Sequence, residues 1–155
     1  MRGEVKPIPD GYHGALPYLI CKGAAQAIEF YKKAFGATEI MRMDGPGGVI
    51  GHAEVRIGDA VIMLADERPG MSRSPKTLGG TPASIYMYVQ DVDAFARRAI
   101  DAGAKALGPV ADQFYGDRSV GFEDPFGHMW GFATHIEDVP LEELKRRSAE
   151  KFGAC

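Results

Sequence analysis

Cysteine is nearly missing from this chain: Cys21 and Cys155 are the only two in 155 residues. No disulfide framework and no CxxC pair can be drawn from them, and a reducing, cytoplasmic setting is the expectation. Long apolar runs are missing too. The longest is Ala60-Val61-Ile62-Met63-Leu64-Ala65, far short of the ~20 residues that a membrane span needs, so no membrane partner is expected. Residues 1–14 are polar and rich in Pro and Gly, without the apolar stretch of a secretory signal. Nor is there an excess of positive charge. Lys and Arg number 18 against 21 Asp and Glu, a formal net charge of −3, so bulk electrostatics gives no pull toward nucleic acid. Glycine is abundant, with 20 residues against an ordinary share of roughly 7%, and implies many tight turns. The remainder, 45% apolar and 25% charged, is the mix of one globular domain or of two small halves.

A repeat of about 68 residues organises the chain. Leu16-Pro17-Tyr18-Leu19-Ile20-Cys21 reads as a strand, and Ser84-Ile85-Tyr86-Met87-Tyr88-Val89 repeats it. A helix follows each strand. In the first half Ala24, Ala27, Ile28, Tyr31, Ala34 and Phe35 make an apolar stripe that stops at Gly36. In the second, Asp91 is the N-cap, Val92, Phe95, Ala96, Ala99 and Ile100 form the stripe, and Gly103 ends it. Each helix is succeeded by a hairpin. Strands over 52–57 and 60–65 turn at Gly58-Asp59, and strands over 119–123 and 128–134 turn at Asp124-Pro125-Phe126-Gly127. Further short strands fit 38–43 and 106–110, so each half reads β-α-β-β-β. The expected organisation is a first module over 12–66, a linker over 67–82, a second module over 83–137 and a C-terminal helix over 138–155. The linker reads either as plain surface chain or as a functional flap. The terminal helix, opened by Pro140, carries Leu141, Leu144 and Phe152 on one side.

Two tandem βαβββ modules, with Ala27-Ile28-Glu29-Phe30-Tyr31 on the first helix and the hairpin Glu123-Asp124-Pro125-Phe126-Gly127-His128-Met129-Trp130, resemble the vicinal oxygen chelate superfamily. That superfamily includes glyoxalase I, bleomycin-resistance proteins, fosfomycin-resistance enzymes and extradiol dioxygenases. The stretches 51–59 and Gly116-Asp117-Arg118 are similar to a bacterial glyoxalase-like branch. The resemblance implies an α+β fold in which the modules form a half-barrel cleft with helices outside. It also implies a homodimer and a small-molecule ligand. In metal-using relatives four ligands come from paired strand positions, and the resemblance carries these onto Leu16, Met63, Ser84 and Gly131. Leu and Gly have no donor, a Met thioether suits soft ions, and Ser alone is a weak ligand. No metal and no other cofactor is therefore expected, although His52 and Glu54, on one strand face, leave open a non-standard site.

Strand alternation supplies the candidate site residues. Ala53, Val55 and Ile57 must face the helices, which puts His52, Glu54 and Arg56 on the other face, either as ligand contacts or as a solvated rim. Tyr18, Tyr86 and Tyr88 share the corresponding face of the leading strands, as cleft lining or as ordinary aromatic packing. Trp130 has the opposite parity and belongs in the core. Tyr115 and Arg118 flank the last hairpin. The Arg118 fork suits a carboxylate or phosphate, or else a structural pair with Asp117, Glu123 or Asp124. Two functions compete. One is a metal-free binder of a small molecule, with an anion among the candidates. The other is a metal-free lyase, isomerase or hydrolase in which Glu54 or His52 is the base, Arg118 the anion clamp and a tyrosine the proton donor or oxyanion partner. A non-standard metal site at His52 and Glu54 would keep a glyoxalase- or dioxygenase-type reaction open.

Overall fold

The structure, a computed structural model, describes residues 5–153; Cys155 and the last step of the expected C-terminal segment lie outside them. The chain divides between Thr81 and Pro82 into two compact units. Neither contains a closed barrel, and both are mixed sheets with helices packed on one face.

The first unit runs β1 (Tyr18–Cys21), α1 (Ala24–Phe35), β2 (Thr38–Asp44), β3 (Ile50–Ile57), β4 (Ala60–Asp66) and a short α2 (Pro75–Leu78). Its sheet is ordered β1-β4-β3-β2, with β1 parallel to β4 and the other pairs antiparallel. The apolar stripe of α1 packs on the sheet, where Ile28, Tyr31, Val55, Ile62 and Leu64 are fully buried; each such side chain contributes about 1.5–3 kcal/mol. Gly23, before α1, has no side chain to cap it. Asp66, at the end of β4, does so instead, its Oδ1 accepting from the N–H groups of Gly23 and Ala24 and its Oδ2 from Ile50 N–H. Segment 67–82 is more ordered than a plain linker. Glu67 accepts from Ser74 N–H and from the Thr77 hydroxyl, Ser74 caps α2, and α2 rests on β1.

The second unit runs β5 (Ser84–Tyr88), α3 (Val92–Asp101), β6 (Lys105–Ala106), β7 (Ala111–Asp112), β8 (Asp117–Glu123), β9 (Met129–His135) and α4 (Leu141–Phe152). The sheet order is β5-β9-β8-β6, with β7 also on β8. The single strand expected over 106–110 is instead two short pieces, because Gly108 and Pro109 interrupt it and Pro109 has no N–H to give the ladder. Asp91 caps α3 as expected, and Thr134, 68 residues after Asp66, accepts from Val92 N–H. Trp130 is buried and stacks on Phe132, with centroids 6.0 Å apart. Ile100, expected in the stripe, is half exposed, since it falls at the edge of the α3 face. Among the described residues no helix is long and apolar enough to cross a membrane.

Candidate functional site

In the first unit, alternation along β3 places Ala53, Val55 and Ile57 under α1 and turns His52, Glu54 and Arg56 to the opposite face. Glu54 is only 5% exposed there. Its carboxylate accepts from His52 Nε2 at 3.0 Å and from the Tyr12 hydroxyl. The other imidazole nitrogen, Nδ1, lies 2.8 Å from the hydroxyl of Tyr18. Burial pushes the Glu54 carboxyl up, but the hydrogen bonds from Tyr12 and His52 outweigh it and hold the group below its ordinary value. With Glu54 ionised, every partner is satisfied if Nε2 carries the imidazole proton and Nδ1 accepts from Tyr18. The result is a phenol on a base on a buried carboxylate, the arrangement by which a side chain is readied for proton transfer. The Tyr18 ring itself is half exposed.

Tyr12 is a residue that strand reading passes over, because it lies in a polar, Pro-rich stretch with no periodicity. A turn at Pro9-Asp10-Gly11-Tyr12, closed by Tyr12 N–H to Pro9 C=O, carries it onto the sheet. The only legible signal was the Pro-Asp-Gly sequence of that turn. Arg56 reaches the same turn: a Cβ on Gly11 would stand 3.7 Å from Arg56 Nη2.

In the second unit, Tyr86 and Tyr88 project from one face of β5 with their rings edge to face, centroids 5.7 Å apart. Both hydroxyls donate to Asp117 Oδ2, at 2.7 Å from Tyr88 and 3.5 Å from Tyr86. Asp117 is 3% exposed and also accepts from His135 Nδ1 at 2.9 Å, while His135 Nε2 meets Asp138 at 2.9 Å. Burial raises the Asp117 pKa, but the bonds from His135 and the tyrosines lower it further, and in return Asp117 and Asp138 raise that of His135. Tyr115 shares a hydrogen bond with Tyr86, whose phenol is pushed up by burial first and by Tyr115 next. Asp117 and His135 stand opposite each other in the β8–β9 ladder. They escape a sequence reading that starts β8 at 119 and ends β9 at 134; extending each strand brings both onto the tyrosine face. Beside this cluster, Tyr115 also borders an open groove of about 850 Å³ with Phe114, Leu144, Ala149 and Phe152.

Arg118 is placed apart from the tyrosines. It alternates with Asp117 on β8, so it points to the helix side, where its fork binds Asp93 at 2.7 and 2.8 Å and Asp112 at 2.8 Å. The structural partners named from sequence, Asp117, Glu123 and Asp124, are not the ones it takes. Asp93 heads α3, so the pair locks β8 to that helix.

The positions carried over from metal-using relatives can be tested against this geometry. Met63 lies opposite Tyr18 and Gly131 opposite Tyr86 in the parallel ladders, while Leu16 precedes β1 and Ser84 begins β5. A Cβ on Gly131 would sit 2.6 Å from Tyr86 Cδ2, so the tyrosine ring fills the place a ligating side chain would need. These residues do not fit a divalent ion held by nitrogen and oxygen donors. Among the described residues no group of three His, Cys, Asp or Glu side chains is arranged so that it could hold a metal ion.

Tandem βαβββ units with an open, helix-backed sheet in each define a glyoxalase-type protein. Residues 14–132 match the model of the Glyoxalase/Bleomycin resistance protein/Dioxygenase superfamily, and the chain belongs to that family. It is 43% identical over 133 residues to the uncharacterized protein Rv0887c of Mycobacterium tuberculosis H37Rv, covering 83% of this chain and 78% of the relative. Among solved structures it is similar to TioX from Micromonospora sp. ML1, at 25% identity and a TM-score of 0.64, over 81% of this chain and all (100%) of the other. It is also similar to TnmS3, an antibiotic binding protein from Streptomyces sp. CB03234, at 24% identity and a TM-score of 0.61, over 80% and 96%.

Proposed function

We propose that the protein binds a small molecule against the tyrosine-bearing faces of its sheets, and does so without the divalent metal of its metal-using relatives. One observation carries the reading. Tyr18, Tyr86 and Tyr88 leave their rings half exposed while their hydroxyls are tied, through His52 to Glu54 or directly to Asp117. Rings held this way offer apolar area with little conformational entropy left to lose on binding. The donor-poor residues at 16, 63, 84 and 131 support the metal-free part. A screen of aromatic fragments by ligand-observed NMR tests the proposal, on protein purified without a metal-affinity tag and assayed for bound metal. Fragments are expected to bind, to lose at least about 10-fold in affinity with Tyr18→Ala or Tyr88→Ala, and to need no metal. Stoichiometric Zn, Ni or Fe, or fragment binding indifferent to both substitutions, would overturn it.

A second reading is favoured by the Tyr18–His52–Glu54 chain. Here the bound molecule is turned over by acid–base chemistry, with Tyr18 giving or taking the proton, His52 relaying it and Glu54 stabilising the imidazolium. Glu54→Gln keeps a polar side chain of the same size but removes the charge. Ligand affinity is expected to hold within about 3-fold while turnover drops about 10²–10⁴-fold. Undiminished turnover in that variant would leave the Tyr18–His52–Glu54 chain a structural one, and no turnover in the unaltered protein would leave it a binder.

A further inference from the structure

We infer that the tyrosine cluster of the second unit is a site for an organic ammonium cation, seated on the rings of Tyr86 and Tyr88 with the Asp117 carboxylate behind them. The inference rests on the small-molecule reading above and adds to it the charge of the ligand.

Three features of the cluster set that sign. The first is the ring geometry. Tyr86 and Tyr88 stand at 74° to each other, 49% and 62% exposed, so solvent reaches two differently oriented aromatic surfaces at once. Electron-rich ring faces attract alkylated ammonium groups in this manner. The second is the direction of the hydrogen bonds. Both hydroxyls donate inward to Asp117, so what they offer a ligand is oxygen lone pairs, as acceptors. The third is the local charge. Asp117 and Asp138 flank His135 and leave one net negative charge even when the imidazole is protonated. The Arg118 fork that would hold an anion is on the other face of β8, bound to Asp93 and Asp112. An anion placed on Tyr88 would meet the Asp117 carboxylate behind the ring.

The same bonds choose between kinds of cation. Asp117 already accepts from Tyr88, Tyr86 and His135, so an inorganic ion would have to displace those donors to reach its oxygens. A weakly hydrated alkylammonium need only rest on the rings and feel the buried charge from a distance.

The test uses the full chain and three probes of one shape: choline, its uncharged isostere 3,3-dimethylbutan-1-ol, and the anion 3,3-dimethylbutanoate, titrated by NMR on the tyrosine ring signals. Choline is expected to bind about 10-fold more tightly than the alcohol, with the anion weakest. Tyr88→Leu, at an exposed position that folding tolerates, should cost choline at least about 5-fold. Asp117→Asn should narrow the gap between choline and the alcohol. Equal binding of the alcohol or the anion at Tyr86 and Tyr88 would end the claim of a cation site and leave the small-molecule reading intact. If no probe of any charge perturbs those rings, the site itself is wrong; failure of the small-molecule reading is recognised separately, by an empty aromatic-fragment screen at Tyr18 as well.

Discussion

Replacing Asp124 by Ala is expected to lower the unfolding free energy by about 3–5 kcal/mol, with a fall in Tm of roughly 10 °C or more. Asp124 is 2% exposed and sits at the turn between β8 and β9. One of its oxygens accepts from Phe126 N–H at 2.8 Å and His128 N–H at 2.9 Å, and the other from Trp130 Nε1 at 2.9 Å. Alanine leaves three donors without that acceptor, one of them on an indole stacked in the core against Phe132. A buried donor deprived of its acceptor costs more than an average hydrogen bond contributes. Asn, which keeps one acceptor oxygen, should lose about half as much. Urea denaturation followed by the fluorescence of the single tryptophan reads both variants. A loss below about 1 kcal/mol for Ala would mean that the turn's own backbone bonds, Asp124 N–H to His128 C=O and Gly127 N–H to Asp124 C=O, are sufficient.

The second large effect belongs to Gly116. Its φ is +95°, and a Cβ there would lie 2.1 Å from the carbonyl oxygen of Glu137. Gly116 C=O in turn accepts from Ile136 and Glu137 N–H, which folds the segment after β9 back against it. Gly116→Ala should therefore cost about 2–4 kcal/mol. It should also push away the stretch that carries Asp138, loosening His135 and weakening whatever binds at Tyr86 and Tyr88. Gly108, with open space around it and no positive φ, is the control whose Ala variant should stay near wild-type stability. If Gly116→Ala behaves like that control in thermal melts and in probe binding, the close approach of residues 116 and 137 is not the constraint described.

The architecture could be read from sequence because it is written twice. A stripe ending in Gly36 and another ending in Gly103 give two helices, and the alternation Ala53, Val55, Ile57 fixes which face of β3 is polar. The parities of Tyr18, Tyr86, Tyr88 and Trp130 follow from the same rule and hold in the structure. The reading failed where local pattern is weak. Strand ends were misjudged by two residues at β8, which hid Asp117, and by one at β9, which hid His135. The stretch before β1 has no period at all, so Tyr12 emerges only in three dimensions, through its bond to Glu54. Arg118 shows a different limit: its fork suits an anion, but the anions it meets are Asp93, 25 residues back, and Asp112, which is as near in sequence as Asp124, so spacing alone does not pick them out.

Asp66 and Thr134 carry a consequence for how the repeat can be cut. Each sits at the far end of its module and reaches back over 42 residues to the start of that module's helix. A break placed after β3 would strip α1 of the side-chain cap that Asp66 supplies and take the same carboxylate from Ile50 N–H. A segment copied or swapped with its helix cap intact must therefore run from leading strand to closing strand.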